Sequence, residues 1–314
     1  MTVVGEAWAL PQFGPELFMC DGGLETTLVY EQGIELPEFT AFPLVQTESG
    51  RAVLRRYLDP YVAVARERGV GLLLNTPTWR AHGAWGERLG YDPDALAAAN
   101  RDACRFLLAL RDELAGSVRL VIGGCIGPRG DGYAVGQRMT PEAAADYHAP
   151  QIAALREGGA NFIAAMTLTY AEEAIGAVRA AQKQGIAAVV SFTVETDGRL
   201  PSGESLREAV EQVDAATEGA PAYFMVNCAH PSHVAPAFAE GGAWLGRVRG
   251  YRANASARSH AELDASTSLD RGDQQDLARR CADLRRHLPQ LTIVGGCCGT
   301  DHETVAAIVD ACLG

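Results

Sequence analysis

Apolar runs of strand length recur along the chain, and stretches with helical periodicity separate them. Eight such runs stand out: Leu17–Cys20, Gly71–Leu74, Arg119–Ile122, Phe162–Ala165, Ala187–Phe192, Tyr223–Val226, Arg247–Tyr251 and Thr292–Val294. Most are continuously apolar rather than alternating, which is typical of strands covered on both faces and therefore parallel. The seventh run is the weakest, because it contains Arg247 and Arg249.

The segments between these runs carry signals for the start and end of helices. Thr140-Pro141-Glu142 supplies a cap, a proline at the first helical position and an early acid, and the periodic pattern continues to Glu157 before Gly158-Gly159 ends it. Ser205–Glu208 and Thr300–Glu303 both have the spacing of a capping box. The predicted order is therefore strand then helix, repeated along the chain.

Eight strand–helix units in 314 residues indicate an α/β protein with a closed (β/α)8 barrel of the TIM type, with a doubly wound open sheet as the alternative. No linker rich in proline, glycine and serine divides the sequence, so we expect residues 1–314 to form a single barrel domain. The segments Asn75–Asp94 and Ala253–Gly272 are predicted insertions at strand ends, where such barrels build their sites.

Charge narrows the range of partners. The formal net charge is −12, which would repel nucleic acid and anionic membrane surfaces, so a small-molecule substrate is expected instead. No apolar stretch approaches the roughly 18 residues of a membrane span, and the N-terminus lacks a secretion signal, which predicts a cytoplasmic protein. In that compartment the eight cysteines are expected to be thiols.

Three cysteines follow predicted strands. Cys297 and Cys298 are adjacent in a glycine turn after the eighth run, and Cys228 follows the sixth. Because the ends of parallel barrel strands meet at one face, three thiolates could hold one Zn²⁺ ion and leave its fourth position open. Burial or a redox-active pair is the alternative for Cys297-Cys298, and His230 or His233 could close the site as a fourth ligand.

The first predicted strand ends in a glycine turn that carries two acids, Asp21-Gly22-Gly23-Leu24-Glu25-Thr26. The glycines would let backbone groups approach a ligand, and Asp21 and Glu25 could meet an amine or a sulfonium. A plain strand-to-helix turn with Asp21 as cap is the interpretation that this segment favours when taken alone.

Other segments carry weaker signals. Gly123–Gly130 lacks the spacing of a phosphate-binding loop and is predicted to be a substrate-facing loop after the third strand. Five histidines show no metal-binding spacing and are predicted to be surface or capping residues: His82, His148, His260, His287 and His302.

Three segments, Asp21–Thr26, Val226–Cys228 and Gly295–Thr300, together resemble the homocysteine S-methyltransferase family in their order along nearly the full chain. The resemblance implies a (β/α)8 barrel that binds zinc through Cys228, Cys297 and Cys298 and methylates a thiol. The implied acceptor is homocysteine, which yields methionine. The implied donor is S-methylmethionine or S-adenosylmethionine, with betaine as the alternative, and a non-catalytic zinc or thiol redox sensor is the competing function.

One position departs from the family pattern. The fourth strand of the family commonly ends in a glutamate that holds the amino group of homocysteine, whereas this chain has Met166 there. A thioether cannot accept a charged hydrogen bond, so either Glu195 replaces that glutamate or the acceptor is another thiol. The residues expected at the substrate site are Asp21, Gly22, Gly23, Glu25, Thr26, Met166, Glu195 and Asn227.

Overall fold

Eight parallel strands close into a barrel in sequence order, so that β1 pairs with both β2 and β8. The computed structural model describes residues 10–314, and residues 1–9 of the predicted domain lie outside them. The strands are β1 (Phe18–Cys20), β2 (Gly71–Asn75), β3 (Leu120–Ile126), β4 (Phe162–Leu168), β5 (Ala188–Phe192), β6 (Phe224–Ala229), β7 (Val248–Ala253) and β8 (Ile293–Gly296). The predicted (β/α)8 barrel is confirmed.

Helices lie between the strands throughout the part of the chain that the structure describes. They are α1 (Leu24–Thr26), α2 (Glu48–Arg68), α3 (Gly83–Arg88), α4 (Pro93–Glu113), α5 (Pro141–Gly158), α6 (Ala171–Gln184), α7 (Leu206–Ala216), α8 (Pro231–Ala239), α9 (His260–Asp264), α10 (Gln274–His287) and α11 (His302–Leu313). None of these helices combines the length and the apolar character needed to cross a membrane.

The helix caps follow the sequence signals with one exception. Thr140 caps α5 and Ser205 forms a capping box with Glu208 at α7, as predicted. At α11 the cap is Asp301, whose carboxylate accepts from the backbone N–H of Thr304 at 2.8 Å. The prediction of Thr300 as cap is wrong, because the Thr300 hydroxyl donates to the carbonyl of Cys297 at 2.7 Å instead.

The barrel buries both faces of its strands. In β1, Phe18 and Cys20 pack with residues inside the barrel, while Met19 packs with the layer between strands and helices. Burial raises the pKa of Cys20 to about 12, so this thiol stays neutral and serves as an apolar filler.

Two local predictions are wrong. The first four residues of the segment predicted as a loop, Gly123–Gly130, extend β3, since they pair with residues 162–165 of β4. Three of the histidines predicted to be surface or capping residues, His82, His148 and His260, are buried, although His82 does occupy the N-cap position of α3. Each of them meets a polar partner inside the fold; His148, for example, lies 3.1 Å from the buried carboxylate of Glu173.

Gly71 tests the packing at the base of the barrel. A Cβ atom at this position in β2 would lie against the ring of the fully buried Phe18, well inside contact distance. We expect Gly71→Ala to lower the free energy of unfolding by about 1–3 kcal/mol through overpacking.

Gly83→Ala is the matched control, since a Cβ there meets open space at the start of α3. This variant should keep the wild-type free energy of unfolding or raise it by up to about 1 kcal/mol. Chemical denaturation followed by circular dichroism measures both, and equal effects of the two substitutions would contradict the packing argument.

Candidate functional site

Three cysteine sulfurs converge at the mouth formed by the carboxyl ends of the strands. The Sγ atoms of Cys228, Cys297 and Cys298 all lie within 4.8 Å of one another. Cys228 and Cys297 form a disulfide with their Cα atoms 5.3 Å apart, and Cys298 is a free thiol. The expectation that every cysteine is a thiol does not hold for this pair, because the convergence that gathers three sulfurs also brings two of them within bonding distance.

The reduced form of this cluster fits a zinc ion. Three thiolates are a donor set that Zn²⁺ prefers. Burial raises the pKa of Cys298 to about 11, so a cation is needed to keep this group as a thiolate at neutral pH. The histidines considered as a fourth ligand bond elsewhere, since His230 Nδ1 lies 2.7 Å from Ser232 Oγ and His233 Nε2 lies 3.0 Å from the carbonyl of Ala257. Among the described residues, the cluster therefore offers three ligands.

An irregularity in β6 aims Cys228 into the mouth. The register between β6 and β7 shifts between Asn227 and Ala229, and Cys228 has a φ of +56°, in the left-handed region. Such a bulge re-aims a side chain at the cost of local backbone strain. The carbonyl of Cys228 accepts a hydrogen bond from His260 Nε2 at 2.8 Å, which helps to hold this conformation.

Asn227 lies in the wall of the mouth with its side chain fully engaged. Its Oδ1 accepts from the backbone N–H of Thr167 at 2.9 Å and from Ser191 Oγ at 2.6 Å, and its Nδ2 donates to Thr167 Oγ1 at 2.9 Å. Asn227 thus joins the ends of β4, β5 and β6.

A buried ion pair joins the loop after β1 to the ends of β7 and β8. Arg252 Nη2 donates to Asp21 Oδ1 at 2.6 Å, and Arg252 Nε donates to the carbonyl of Gly296 at 2.9 Å. The Tyr57 hydroxyl donates to the other carboxylate oxygen of Asp21 at 3.1 Å. The charge of Asp21 is therefore balanced within the protein.

The glycines and the threonine of the first loop support the cysteine turn. A Cβ atom at Gly22 would lie 2.5 Å from the carbonyl oxygen of Thr300, and one at Gly23 would lie 2.6 Å from that of Cys297. Thr26 Oγ1 accepts from the backbone N–H of Gly299 at 3.3 Å. The close approach that these glycines permit is thus between two segments of the protein.

Glu25 is the remaining charged residue of this loop, and it lines a cavity together with the three sulfurs. We call this cavity, of about 710 Å³ including its open mouth, the inner chamber. The residues of its wall used below are Asp21, Glu25, Thr26, Phe39, Trp79, Tyr133, Met166, Cys228, Cys297 and Cys298. Within the described residues, the Glu25 carboxylate has no side-chain partner; its one hydrogen-bonding neighbour is its own backbone N–H. Burial raises the pKa of Glu25.

A second cavity, of about 1060 Å³, opens beside the first, and we call it the outer chamber. Five residues line both chambers: Thr26, Phe39, Trp79, Tyr133 and Cys298. The rest of its wall combines carboxylates with a cation and further aromatic and polar groups, including Tyr30, Arg80, Asp131, His260, Asp264 and Asp270.

The sequence pattern indicates no role at the sulfurs for Tyr133 or His260, yet both lie beside Cys228. The Tyr133 hydroxyl donates to Cys228 Sγ at 3.1 Å, and its ring packs on that of His260 with the centroids 4.1 Å apart. His260 Nδ1 lies 2.9 Å from Glu195 Oε1. Glu195, expected at the substrate site, therefore contacts His260 and does not line the inner chamber. The sequence does contain one signal for the position of His260: Ser259 and Glu262 have the spacing of a capping box, which places His260 at the start of a helix.

The structure is thus a (β/α)8 barrel that gathers three cysteine sulfurs at its mouth, where barrel enzymes have their active sites. The chain belongs to the homocysteine S-methyltransferase family, whose model it matches over residues 18–312. It is a methyltransferase.

Solved structures agree with this fold. The metallated form of the homocysteine methyltransferase MmuM from Escherichia coli matches with a TM-score of 0.69 and 22% identity, over 96% of this chain and 97% of that one. The oxidized form of the same protein matches with a TM-score of 0.70 and 19% identity, over 96% and 98%. A sequence search of curated proteins returned no match.

The Asp21–Arg252 pair can be tested by removing the cation. Arg252→Met leaves a buried carboxylate without its partner, and we expect the free energy of unfolding to fall by about 3–5 kcal/mol. Arg258→Met is the matched control, because Arg258 is exposed and pairs with Asp270 at 3.4 Å, which should change stability by at most about 1 kcal/mol. Urea denaturation of both variants measures these changes in the free energy of unfolding. If Arg252→Met lowered it by no more than Arg258→Met does, the structural role of Arg252 would be contradicted.

Proposed function

We propose that this methyltransferase moves a methyl group from a small sulfonium donor, S-methylmethionine or S-adenosylmethionine, to a thiol. Homocysteine, which would yield methionine, is the first acceptor, and betaine and a different thiol are the alternative donor and acceptor. The observation that carries the proposal is the convergence of three cysteine sulfurs where two chambers meet. We assign the activity to one domain over residues 1–314 working in the cytoplasm, where reducing conditions keep thiols free.

Cys228, Cys297 and Cys298 are the proposed ligands of one zinc ion. Bound there, zinc would supply the Lewis acidity that favours the thiolate form of the acceptor. The protein's part is to hold three sulfurs at one point and to leave the remaining position facing the inner chamber. The strained backbone at Cys228 and the glycine turn at Gly299, with a φ of +76°, support this arrangement.

The outer chamber is the proposed donor site. Its aromatic side chains and carboxylates favour a positively charged methyl donor. Arg80 could hold the donor's carboxylate, since it lines the outer chamber and its nearest acidic neighbour, Asp131, is 4.0 Å away, while its Nη1 donates to the carbonyl of Glu38. Donor and acceptor would then meet beside Cys298, which lines both chambers.

The proposed reaction is a direct displacement. The acceptor reacts as a thiolate whose proton has been released to solvent. Its sulfur forms a bond to the donor's methyl carbon while the bond from that carbon to the sulfonium sulfur breaks. The electron pair of the broken bond stays on the departing sulfur, which becomes a neutral thioether. The contribution of the chain is to align the two ligands and to exclude water, which lowers the entropic cost of the encounter.

A thiol redox sensor is the second candidate, favoured by the disulfide between Cys228 and Cys297. A sensor would cycle between disulfide and dithiol without transferring a methyl group. An enzyme would regain zinc binding and methyl transfer upon reduction.

Zinc binding separates these candidates. Reduced protein should bind about one zinc per chain, and alanine at Cys228, Cys297 or Cys298 should abolish both binding and methyl transfer, since metal sites need their full ligand set. Cys312→Ala is the control, because Cys312 is a buried free thiol in α11 outside the cluster. Metal analysis with a methyl-transfer assay provides the measurement, and full activity of a metal-free preparation would exclude the zinc mechanism.

Arg80→Met tests the donor site. Loss of a charged hydrogen bond should raise the KM for sulfonium donors about 10-fold to 100-fold while leaving the KM for the thiol nearly unchanged. Arg88→Met is the matched control, since Arg88 also packs on the ring of Trp85, at 4.5 Å, but does not line the outer chamber. Steady-state kinetics with each substrate varied in turn gives the answer, and an equal rise in both KM values would count against a donor-specific role.

A further inference from the structure

The inner chamber has two carboxylates at its wall, and the protein balances the charge of one of them. Asp21 is paired with Arg252 and accepts a hydrogen bond from Tyr57. Glu25 has no ion pair and no side-chain hydrogen bond within residues 10–314. The chamber therefore presents one carboxylate to a ligand.

We propose that Glu25 binds the ammonium group of an amino-thiol acceptor. This inference rests on the proposed methyl transfer to a thiol, and it assigns a task that Asp21, Met166 and Glu195 cannot perform. Asp21 is committed to Arg252, Met166 has no charge, and Glu195 contacts His260 outside the inner chamber.

The position of Glu25 suits an acceptor held at the sulfur cluster. Glu25 lies in the first turn of α1, two residues after Gly23, whose backbone packs against that of Cys297. Glu25 and all three sulfur-bearing residues, Cys228, Cys297 and Cys298, line the inner chamber. An acceptor bound by its sulfur at the cluster thus meets the carboxylate inside the same chamber.

The cost of burying Glu25 points in the same direction. Glu25 is half-buried. A carboxylate in a protein wall with no side-chain partner loses part of its hydration, and a cation from a ligand compensates for that loss. The apolar side chains of Met166 and Trp79 line the same chamber and suit the methylene groups between a thiol and an amine. The outer chamber has its own carboxylates and is not lined by Glu25, which separates the acceptor's cation from the donor's.

The test compares two thiols of equal chain length. Homocysteine carries the amino group, and 4-mercaptobutyrate is the same molecule without it. We expect Glu25→Gln to lower kcat/KM for homocysteine about 10-fold to 100-fold, mainly through KM, because a charged hydrogen bond is lost. With 4-mercaptobutyrate the variant should stay within about threefold of the wild type, since that ligand has no ammonium to bind.

The controls separate this role from a structural one. Glu35→Gln makes the same substitution at an exposed position that lines neither chamber and should leave both thiols unaffected. Zinc content of the Glu25→Gln protein should match the wild type. An equal loss of activity with both thiols, or no loss with homocysteine, would overturn the role of Glu25.

Failure of the proposed function would look different. In that case the wild-type protein, reduced and loaded with zinc, would methylate neither of these thiols nor any other thiol of a test panel with any of the three donors. Methylation of both thiols with equal kcat/KM by the wild type would leave the methyl transfer standing and reject the ammonium site.

Discussion

The ion pair between Asp21 and Arg252 is the interaction on which the geometry of the mouth depends. It ties the loop after β1 to the ends of β7 and β8, the three segments that carry or support the cysteine turn. A buried pair of this kind gains little over an apolar contact while intact, but losing one partner leaves an uncompensated charge. The pair therefore adds little to the free energy of folding. Its role is to fix the positions of three strand ends relative to each other.

The cysteine turn shows what that position requires. Carbonyl groups of Cys297 and Thr300 lie so close to Gly22 and Gly23 that any side chain at either glycine would collide with them. Across the mouth, Cys228 reaches the same point through a bulge and a left-handed backbone conformation. Close packing at the cysteine turn and backbone strain at Cys228 thus bring together the sulfurs of Cys228 and Cys297, which lie 69 residues apart in sequence.

Much of the architecture could be predicted because the signals were local. Continuous apolar runs located every strand to within a few residues, and the rule that parallel strand ends share one face brought the three cysteines together. The interior contacts were harder to foresee. Arg252 lies one residue past the predicted seventh run, where an arginine is typical of an exposed strand end, and Tyr133 reaches Cys228 from a loop without any periodic pattern.

The first loop illustrates the same limit in a sharper form. The sequence predicts both of its acids, Asp21 and Glu25, as groups for a cation, because sequence alone cannot tell which carboxylate already has a partner inside the fold. The distant Arg252 removes Asp21 from that role, and Glu25, four residues later, is left facing the chamber. A substitution at the end of β4 that takes away one carboxylate need not take away recognition of an amine, since a second wall of the same chamber supplies the charge. Selectivity for the acceptor then depends on how α1 is anchored as much as on the strand where the family commonly places its glutamate.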